Sequence, residues 1–329
     1  IGVTMKLWEG PNGEMPESGC CTASDSEDAR KVASKLDIPY YVLDYTESFS
    51  KNVVDNFTEM YAQGLTPNPC VECNRSVKFD HFITQAKKLN CDKVATGHYA
   101  KIIKKNNEFE LHKADYLDKD QSYVLHMLKS SDLENISFPL GEISKPEVRQ
   151  IAARIGLKTA FKKDSQDICF VGKKDYRSFV EKRIDLTSPG EIFDIEGNKV
   201  GDHNGIHEFT VGQRKGLPGG YGTPRYVTKI NVQNKNVTIG EKNDLLVSSF
   251  IIEELSCIND LEYKNLTIQT RYNSEDLPCE IKKLSDTEVL VQLKEPAFSV
   301  APGQFGVIYN GTKVVCGGRI SPKVLENVE

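Results

Sequence analysis

Thr66–Phe79 (TPNPCVECNRSVKF) is the densest group of chemically capable residues in the chain. Two prolines stiffen a loop, Cys70 and Cys73 stand three apart, and a helix is expected to begin after them. A thiol at or just before a helix N-terminus feels the positive end of the dipole, which favours thiolate, the nucleophilic form. Arg75 and Lys78 add to that field. The spacing also suits a redox pair, part of a zinc site, or plain buried cysteines. A structural zinc wants four ligands; the adjacent Cys20-Cys21 is no second CxxC, and His81 would have to be recruited.

Three further groups are weaker alone. Lys162–Phe170 (KKDSQDICF) holds Cys169 between Ile168 and Phe170, a setting that is more often core. The polar stretch before it, with Asp164 and Asp167, reads as a loop that puts the thiol at an edge. Ala95–Tyr99 (ATGHY) places Gly97 at a strand end, where a ligand can approach the backbone, and His98 beside it as a donor to a base or phosphate. A turn glycine with a satisfied surface histidine explains the same residues. Lys119-Asp120-Gln121-Ser122 is a polar cluster ahead of the apolar Tyr123–Leu128, and an ordinary helix start accounts for it equally well.

These residues need a scaffold, and the first third of the chain supplies one by alternating strand and helix. Ile1–Met5 and Tyr40–Asp44 read as strands, the second of a buried type. Between them, Ser24-Asp-Ser-Glu27 reads as a capping box, followed by Ala29, Val32, Ala33 and Leu36 at helical spacing. Val53, Phe57, Met60 and Tyr61 mark a second helix, and Phe79, Phe82, Ile83 and Ala86 a third. Lys93–Thr96 is a short strand running into Gly97. Such alternation predicts an α/β, doubly wound parallel sheet, whose ligands bind beyond the carboxyl ends of the strands. Met5 and Gly97 both lie at such ends. The middle is expected to continue helical, with a capping box at Ser144–Glu147, Val148, Ile151 and Ala152 on one face, and a last helix at Tyr176, Phe179 and Val180.

From about Pro189 hairpins take over, turning at Gly197-Asn198 and near Asn234. From Phe250 onward short alternating strands predict a β-barrel after a small antiparallel β domain. The expected units are 1–185 (catalytic, nucleotide-binding), 186–247 (central, β-rich) and 248–329 (C-terminal antiparallel β-barrel).

The 329 residues, 39% hydrophobic and 27% charged, are those of a globular protein of two or three domains. No apolar run is long enough to span a membrane, and the start lacks the basic flank and cleavage site of a signal peptide. Nine irregularly spaced cysteines fit a reducing, cytoplasmic setting better than a disulfide frame. With a net charge of −5, any grip on nucleic acid has to come from local patches and shape.

Seven motifs in register change the weight of each. PNPC-x-x-CN, ATGHY, KDQSY, DSQDICF, GQRKGL (Gly212–Leu217), TRY (Thr270–Tyr272) and PGQ (Pro302–Gln304) occur in this order over essentially the whole chain. The sequence resembles the tRNA-specific 2-thiouridylases, sulfurtransferases that thiolate C2 of the wobble uridine, position 34. The resemblance implies use of ATP with Mg2+ to adenylate the C2 oxygen. It also implies sulfur carried as a cysteine persulfide from a relay protein or cysteine desulfurase, and tRNAs with Lys, Glu and Gln type anticodons as substrates. Cys169 matches the persulfide carrier and Cys73 the other catalytic thiol, the nucleophile, with a Cys73–Cys169 disulfide as one outcome. Both jobs call for an exposed thiol. Met5 and Gly97 match nucleotide contacts. Asn68, Pro69 and Cys70 match the stretch that meets the target base, and His98, Lys119, Asp120, Gln121, Arg271, Tyr272 and Gln304 match tRNA contacts. No metal ligand set is implied.

The chain departs from the family in two places. Cys70 stands where some members have Asp, which weakens any proton-transfer role there. The family's opening strand and SGGxDSS phosphate loop have no counterpart, and the chain starts at Ile1 in what reads as a strand, so a truncated start is expected, and this stretch alone is not expected to complete the reaction. Two other functions fit parts of the pattern: a related ATP-dependent RNA-modifying enzyme of the same superfamily, or a non-catalytic tRNA-binding remnant.

Overall fold

The computed structural model describes residues 1–329 except 10–21, 163–167, 172–175, 185–187, 221, 258–263, 299 and 328–329. Cys20-Cys21 and the acidic loop with Asp164 and Asp167 therefore lie outside the described residues.

The first part is α/β. β1 (Gly2–Lys6) pairs in parallel with β2 (Tyr40–Asp44), Gly2 opposite Tyr40 through Lys6 opposite Asp44, and α1 (Ala23–Lys35) connects them. The capping box of α1 starts two residues earlier than the sequence reading placed it. Thr22 accepts from the Asp25 amide, and Asp25 returns to the Thr22 amide. Both TxxD and SxxE fit the pattern here, and the helix takes the first. β2 is not of the buried type: Tyr41 and Val42 are 46% and 50% exposed. A continuous apolar run specifies a strand without fixing how many neighbours cover it.

Thr46–Phe49, a π-helical turn at Ser50–Val54 and α2 (Asp55–Ala62) follow as one helical run that buries Phe49, Val53, Val54, Phe57, Met60 and Tyr61. The next run begins with α3 (Pro69–Glu72), continues as a π-helix over Cys73–Phe79 and ends as α4 (Asp80–Lys88). β3 (Val94–Ala95) leads to the Gly97 segment.

A hairpin, not a helix, comes next: β4 (Ala100–Lys105) and β5 (Glu108–Lys113) turn at Asn106-Asn107, both in the left-handed region. That pair of φ angles belongs to the tight primed turns that asparagine tolerates. After it, β6 (Ile136–Ser137) pairs in parallel with β3. α5 (Lys145–Arg154) carries the expected Ser144/Glu147 capping box with Pro146 in the first turn. It buries none of its residues fully, and Ile151 is exposed. α6 (Tyr176–Glu181) closes this part.

The middle sheet has the order β8-β7-β10-β9: β7 (Gly190–Phe193), β8 (Lys199–His203), β9 (Tyr226–Asn231) and β10 (Asn236–Gly240). Both predicted hairpins form, with Gly197 and Lys235 at positive φ in the turns. The sheet is mixed, however, because β10 lies parallel to β7. The long passage between β8 and β9 gives the chain room to return in that direction.

β11 (Leu246–Cys257), β12 (Leu266–Gln269), β13 (Leu277–Lys283), β14 (Val289–Phe298), β15 (Phe305–Asn310) and β16 (Lys313–Asn327) form the barrel. Its order is β11-β14-β13-β12-β15-β16, closed by β11 against β16. Closure removes the free edges. The first barrel strand begins at Leu246. The β4–β5 hairpin of the first part adds to its wall, with His112 opposite Lys313. One apolar cluster accordingly runs from Val71, Phe79 and Leu111 through Tyr123 to Phe305, Val307 and Tyr309. Among the described residues no helix is long and apolar enough to cross a membrane.

Candidate active site

The prolines of Thr66–Phe79 do what their fixed φ suits them to do. Asn68 caps α3 and accepts from the Val71 amide at 3.4 Å, and Pro69 fills the first helical position. The helix thus starts one turn before the point read from the sequence. Cys70 lies in its first turn and is exposed, while Cys73 opens the π-helical stretch. Cys73 is 6% exposed, which overturns the expectation of an accessible thiol. It belongs to a cluster of Phe49, Val53, Phe57, Val77 and Phe170, and Cys169, half-buried, packs against the same cluster beside Ile168. The two thiols, 96 residues apart in sequence (169 minus 73), are therefore served by one apolar core. Met5 at the end of β1 and Trp8 also pack on it. Arg75 adds little free charge near Cys73, because its guanidinium meets Glu72 at 2.5 Å.

The segment ahead of α3 is held by the barrel. The Thr66 amide donates to the Pro302 carbonyl at 2.9 Å, and the Gln304 side-chain amide donates to the carbonyls of Thr66 and Pro67 at 3.3 and 3.2 Å. Gly303 between them has φ +90°, and a Cβ there would come within 2.7 Å of the Thr66 nitrogen. Farther along, Glu72 is fully enclosed and bonds Arg319 of β16 at 2.9 Å. Arg319 also reaches Glu254 at 3.2 Å and the Met60 sulfur at 3.0 Å. Asn74 donates to the Val124 carbonyl, and the buried Tyr123 hydroxyl donates to the Phe305 carbonyl at 2.9 Å.

Four distant segments close on a cavity of about 440 Å³: Thr66 and Asn68, Thr210–Gln213, Arg271 and Tyr272, and Ala301 with Gln304. Asn68, Arg271, Tyr272 and Gln304 were site candidates from sequence, and the structure brings these four together. Tyr272 is 41% exposed, its ring 6.2 Å from that of Tyr123. The Thr210–Gln213 wall was not singled out residue by residue. Its signal was the GQRKGL motif: Gly212 sits at φ +86° with its amide on Val227 O, and Gln213 accepts from the Thr210 amide. The cavity offers amide, hydroxyl, guanidinium and phenol groups, a set suited to an extruded base.

The other candidates sit around this centre. Gly97 is exposed, and a Cβ there would meet only Leu140 Cδ1 at 3.7 Å, so its backbone is open to a ligand. His98 bonds the Thr96 hydroxyl through Nδ1 at 2.8 Å between the rings of Phe79 and Phe138. Burial, aided by the Lys78 charge, pushes its pKa down to about 3, so it is neutral at physiological pH. Asp120 is 8% exposed, and its carboxylate accepts from the Ala114 amide and the Ser122 hydroxyl at 2.8 and 2.6 Å. Burial raises its pKa. Gln121 holds Tyr99 by paired bonds, 2.7 Å to its carbonyl and 3.0 Å from its amide. Asp120 and Gln121 thus shape the turn that presents half-buried Lys119. Among the described residues the grouping of three metal-ligand side chains is Glu181, His207 and Glu208, which includes neither cysteine of the CxxC.

Comparison with known proteins agrees in extent with this architecture. Residues 1–173 match a family described as tRNA methyl transferase HUP domain. Residues 177–241 match its PRC-barrel domain, and 247–320 match an aminomethyltransferase beta-barrel domain. A protein of Lachnoclostridium phytofermentans named tRNA-specific 2-thiouridylase MnmA is 42% identical over 97% of this chain and 92% of its own length. The protein of that name from Rickettsia prowazekii is 42% identical over 98% of this chain and 92% of itself. That from Chloroflexus aurantiacus is 42% identical over 97% and 90%. The family description speaks of methyl transfer, but full-length relatives at this identity are the more specific comparison. With three domains matched in order and that identity sustained along the chain, this protein belongs to the tRNA-specific 2-thiouridylase family.

Proposed function

We propose that the chain transfers sulfur to C2 of the wobble uridine, position 34, of tRNAs with Lys, Glu and Gln type anticodons, in the cytoplasm. The observation that carries this reading is the convergence of Asn68, Gln213, Arg271, Tyr272 and Gln304 on one cavity, at the head of the helix that bears Cys73. Cys73 lies five residues beyond Asn68, a rise of about 7.5 Å along the helix. A base in the cavity would thus sit roughly one and a half turns from the thiol.

In this reading Asn68, Pro69 and Cys70 meet the base, and Arg271, Tyr272 and Gln304 orient the flanking nucleotides. His98, kept neutral, serves as a hydrogen-bonding group and not as a cation. Asp120 and Gln121 act by positioning Lys119. Met5 and Gly97 would hold ATP with its Mg2+, which when bound makes the C2 oxygen a leaving group by adenylation. Cys169 takes up a persulfide from a relay protein or a cysteine desulfurase. On one route the terminal sulfur of the Cys169 persulfide attacks C2 and AMP leaves, after which the Cys73 thiolate attacks the inner sulfur, the S–S bond breaks and the terminal sulfur stays on the base; on the other Cys73 attacks the inner sulfur first, the S–S bond breaks, and the released sulfide attacks C2 as AMP leaves. Either route leaves a Cys73–Cys169 disulfide, which a thiol reductant resolves. Cys73 and Cys169 share one apolar cluster with Phe57 and Phe170, and the enclosed Cys73 reaches Cys169 only when that packing opens. The unit boundaries 185/186 and 247/248 belong to the same proposal.

The full-length gene product, an unmodified tRNA transcript, MgATP and a sulfide source test it directly. Expected are 2-thiouridine and AMP in equal amounts, with neither formed when ATP is omitted. Thiolation that proceeds without ATP would refute the adenylation route.

A further inference from the structure

The barrel loop that carries Arg271 and Tyr272 is anchored by the first part of the chain. Lys113, the last residue of β5, is 6% exposed, and its ammonium lies 2.6 Å from each carboxylate oxygen of Asp276. The same ammonium stands 4.1 Å from the centroid of the Tyr309 ring, and its charge also acts on the enclosed Asp120 carboxylate. Asp276 directly precedes β13 and so ends the loop that leaves β12 after Gln269. The start of that loop meets the same post, because the Tyr309 hydroxyl donates to the Gln269 side-chain oxygen at 3.5 Å. Within the loop the Ser274 amide and hydroxyl both donate to the Arg271 carbonyl, at 3.2 and 2.9 Å, and Asn273 takes a φ of +56°. Ser274 is two residues from Asp276, so the anchor and the turn bearing Arg271 and Tyr272 form one short unit. An enclosed ion pair adds little net stability, since desolvation offsets attraction, but a two-oxygen contact under an aromatic face fixes direction.

We propose that Lys113 is a positioning residue for tRNA: through Asp276 it sets where Arg271 and Tyr272 stand in the cavity wall. Lys113 itself touches no substrate in this account. A supporting group of this kind matters because a displacement of about 1 Å at a recognition residue can cost up to roughly 100-fold. A second ion pair, Glu110 with Lys313 at 2.7 Å, joins the same hairpin to β16 and not to the loop. It therefore separates the positioning of the loop from mere docking of hairpin on barrel. The inference rests on Arg271 and Tyr272 meeting tRNA, and it adds the group that holds them in place.

The test is steady-state thiolation by the full-length gene product with tRNA varied, together with thermal melting of each variant. Lys113→Met and Asp276→Asn are each expected to raise KM for tRNA roughly ten-fold while kcat stays within about two-fold of wild type. In an Arg271→Ala/Tyr272→Ala background, where the residues that Lys113 positions are already gone, Lys113→Met should add less than about two-fold. Glu110→Gln should lower the melting transition and leave KM for tRNA unchanged. If Lys113→Met does not fold, Asp276→Asn, at an exposed position that keeps an oxygen for the ammonium, carries the test. Wild-type KM in Lys113→Met and Asp276→Asn, beside a raised KM in Arg271→Ala/Tyr272→Ala, would overturn the positioning role alone. So would an equal rise in Glu110→Gln, or an undiminished effect of Lys113→Met in the Arg271→Ala/Tyr272→Ala background. A wild-type KM in Arg271→Ala/Tyr272→Ala would instead overturn the tRNA contact reading and this inference with it.

Discussion

Replacing Arg319 by Met should loosen the helix that carries Cys73 without touching any group proposed to meet substrate. Arg319 is almost fully enclosed and bonds Glu72 at 2.9 Å, one residue before Cys73, while its other nitrogens reach Glu254, the Met60 sulfur and the Gly303 carbonyl. A buried charge stripped of its partner costs roughly 3–5 kcal/mol. Glu72 keeps Arg75 at 2.5 Å, so the loss here is expected to be smaller, about 2–3 kcal/mol. Removing Glu72 as well, as Gln, should restore part of that, with a coupling of about 1–2 kcal/mol between the two sites. Trp8 is the single tryptophan of the chain and packs on the same cluster as Cys73, its ring 6.3 Å from Phe170 and 6.1 Å from Phe179. Its fluorescence during urea unfolding therefore reports on the relevant region. Arg319→Met within about 0.5 kcal/mol of wild type, the usual range for an inert surface change, with no coupling to Glu72→Gln, would refute the argument that the barrel clamps the thiol helix.

Gly303→Ala should destabilise by roughly 2 kcal/mol, because a left-handed φ and a Cβ 2.7 Å from the Thr66 nitrogen oppose it together. Calorimetry would show the lowered transition, and tRNA affinity should fall with it as the Thr66–Asn68 wall shifts. Acid should weaken the fold through His126, which is fully buried with Nδ1 on the Tyr123 carbonyl and a pKa pushed down by burial to about 4. Unfolded, the ring titrates near 6.5, so between about pH 6.5 and 4 the unfolded chain binds the extra proton. Stability is then full above that window and falls as pH drops through it, by about 2 kcal/mol at pH 5. His126→Gln should flatten this part of a stability-against-pH curve, and an unchanged slope would rule the histidine out.

Features written in adjacent residues were legible before the structure. The Ser144/Glu147 capping box and the turns at Gly197 and Asn234-Lys235 each use a few neighbouring side chains whose chemistry is local. The hairpin at Asn106-Asn107 carried a turn signal too, but its strands are half solvent-facing and end in Lys104 and Lys105, which blurs the alternation. What could not be read was long-range. Glu72 and Arg319 are 247 residues apart, and no period or motif links an acid on a helix to a base on a barrel strand. Cys73 looked exposed because a helix start usually is, yet the helix begins one turn earlier and Phe57 and Phe170 enclose the thiol. The four cavity residues named from sequence came from family motifs, because nothing in the spacing of Asn68, Arg271, Tyr272 and Gln304 indicates that they meet.

The central claim is that this protein makes 2-thiouridine with Cys73 and Cys169. Nucleoside mass spectrometry of tRNA from cells lacking the gene addresses it most directly. The account predicts that 2-thiouridine at position 34 disappears, returns with the wild-type gene, and does not return with Cys73→Ser or Cys169→Ser proteins that fold normally. Undiminished 2-thiouridine in the deletion strain, or full rescue by either serine variant, would contradict it.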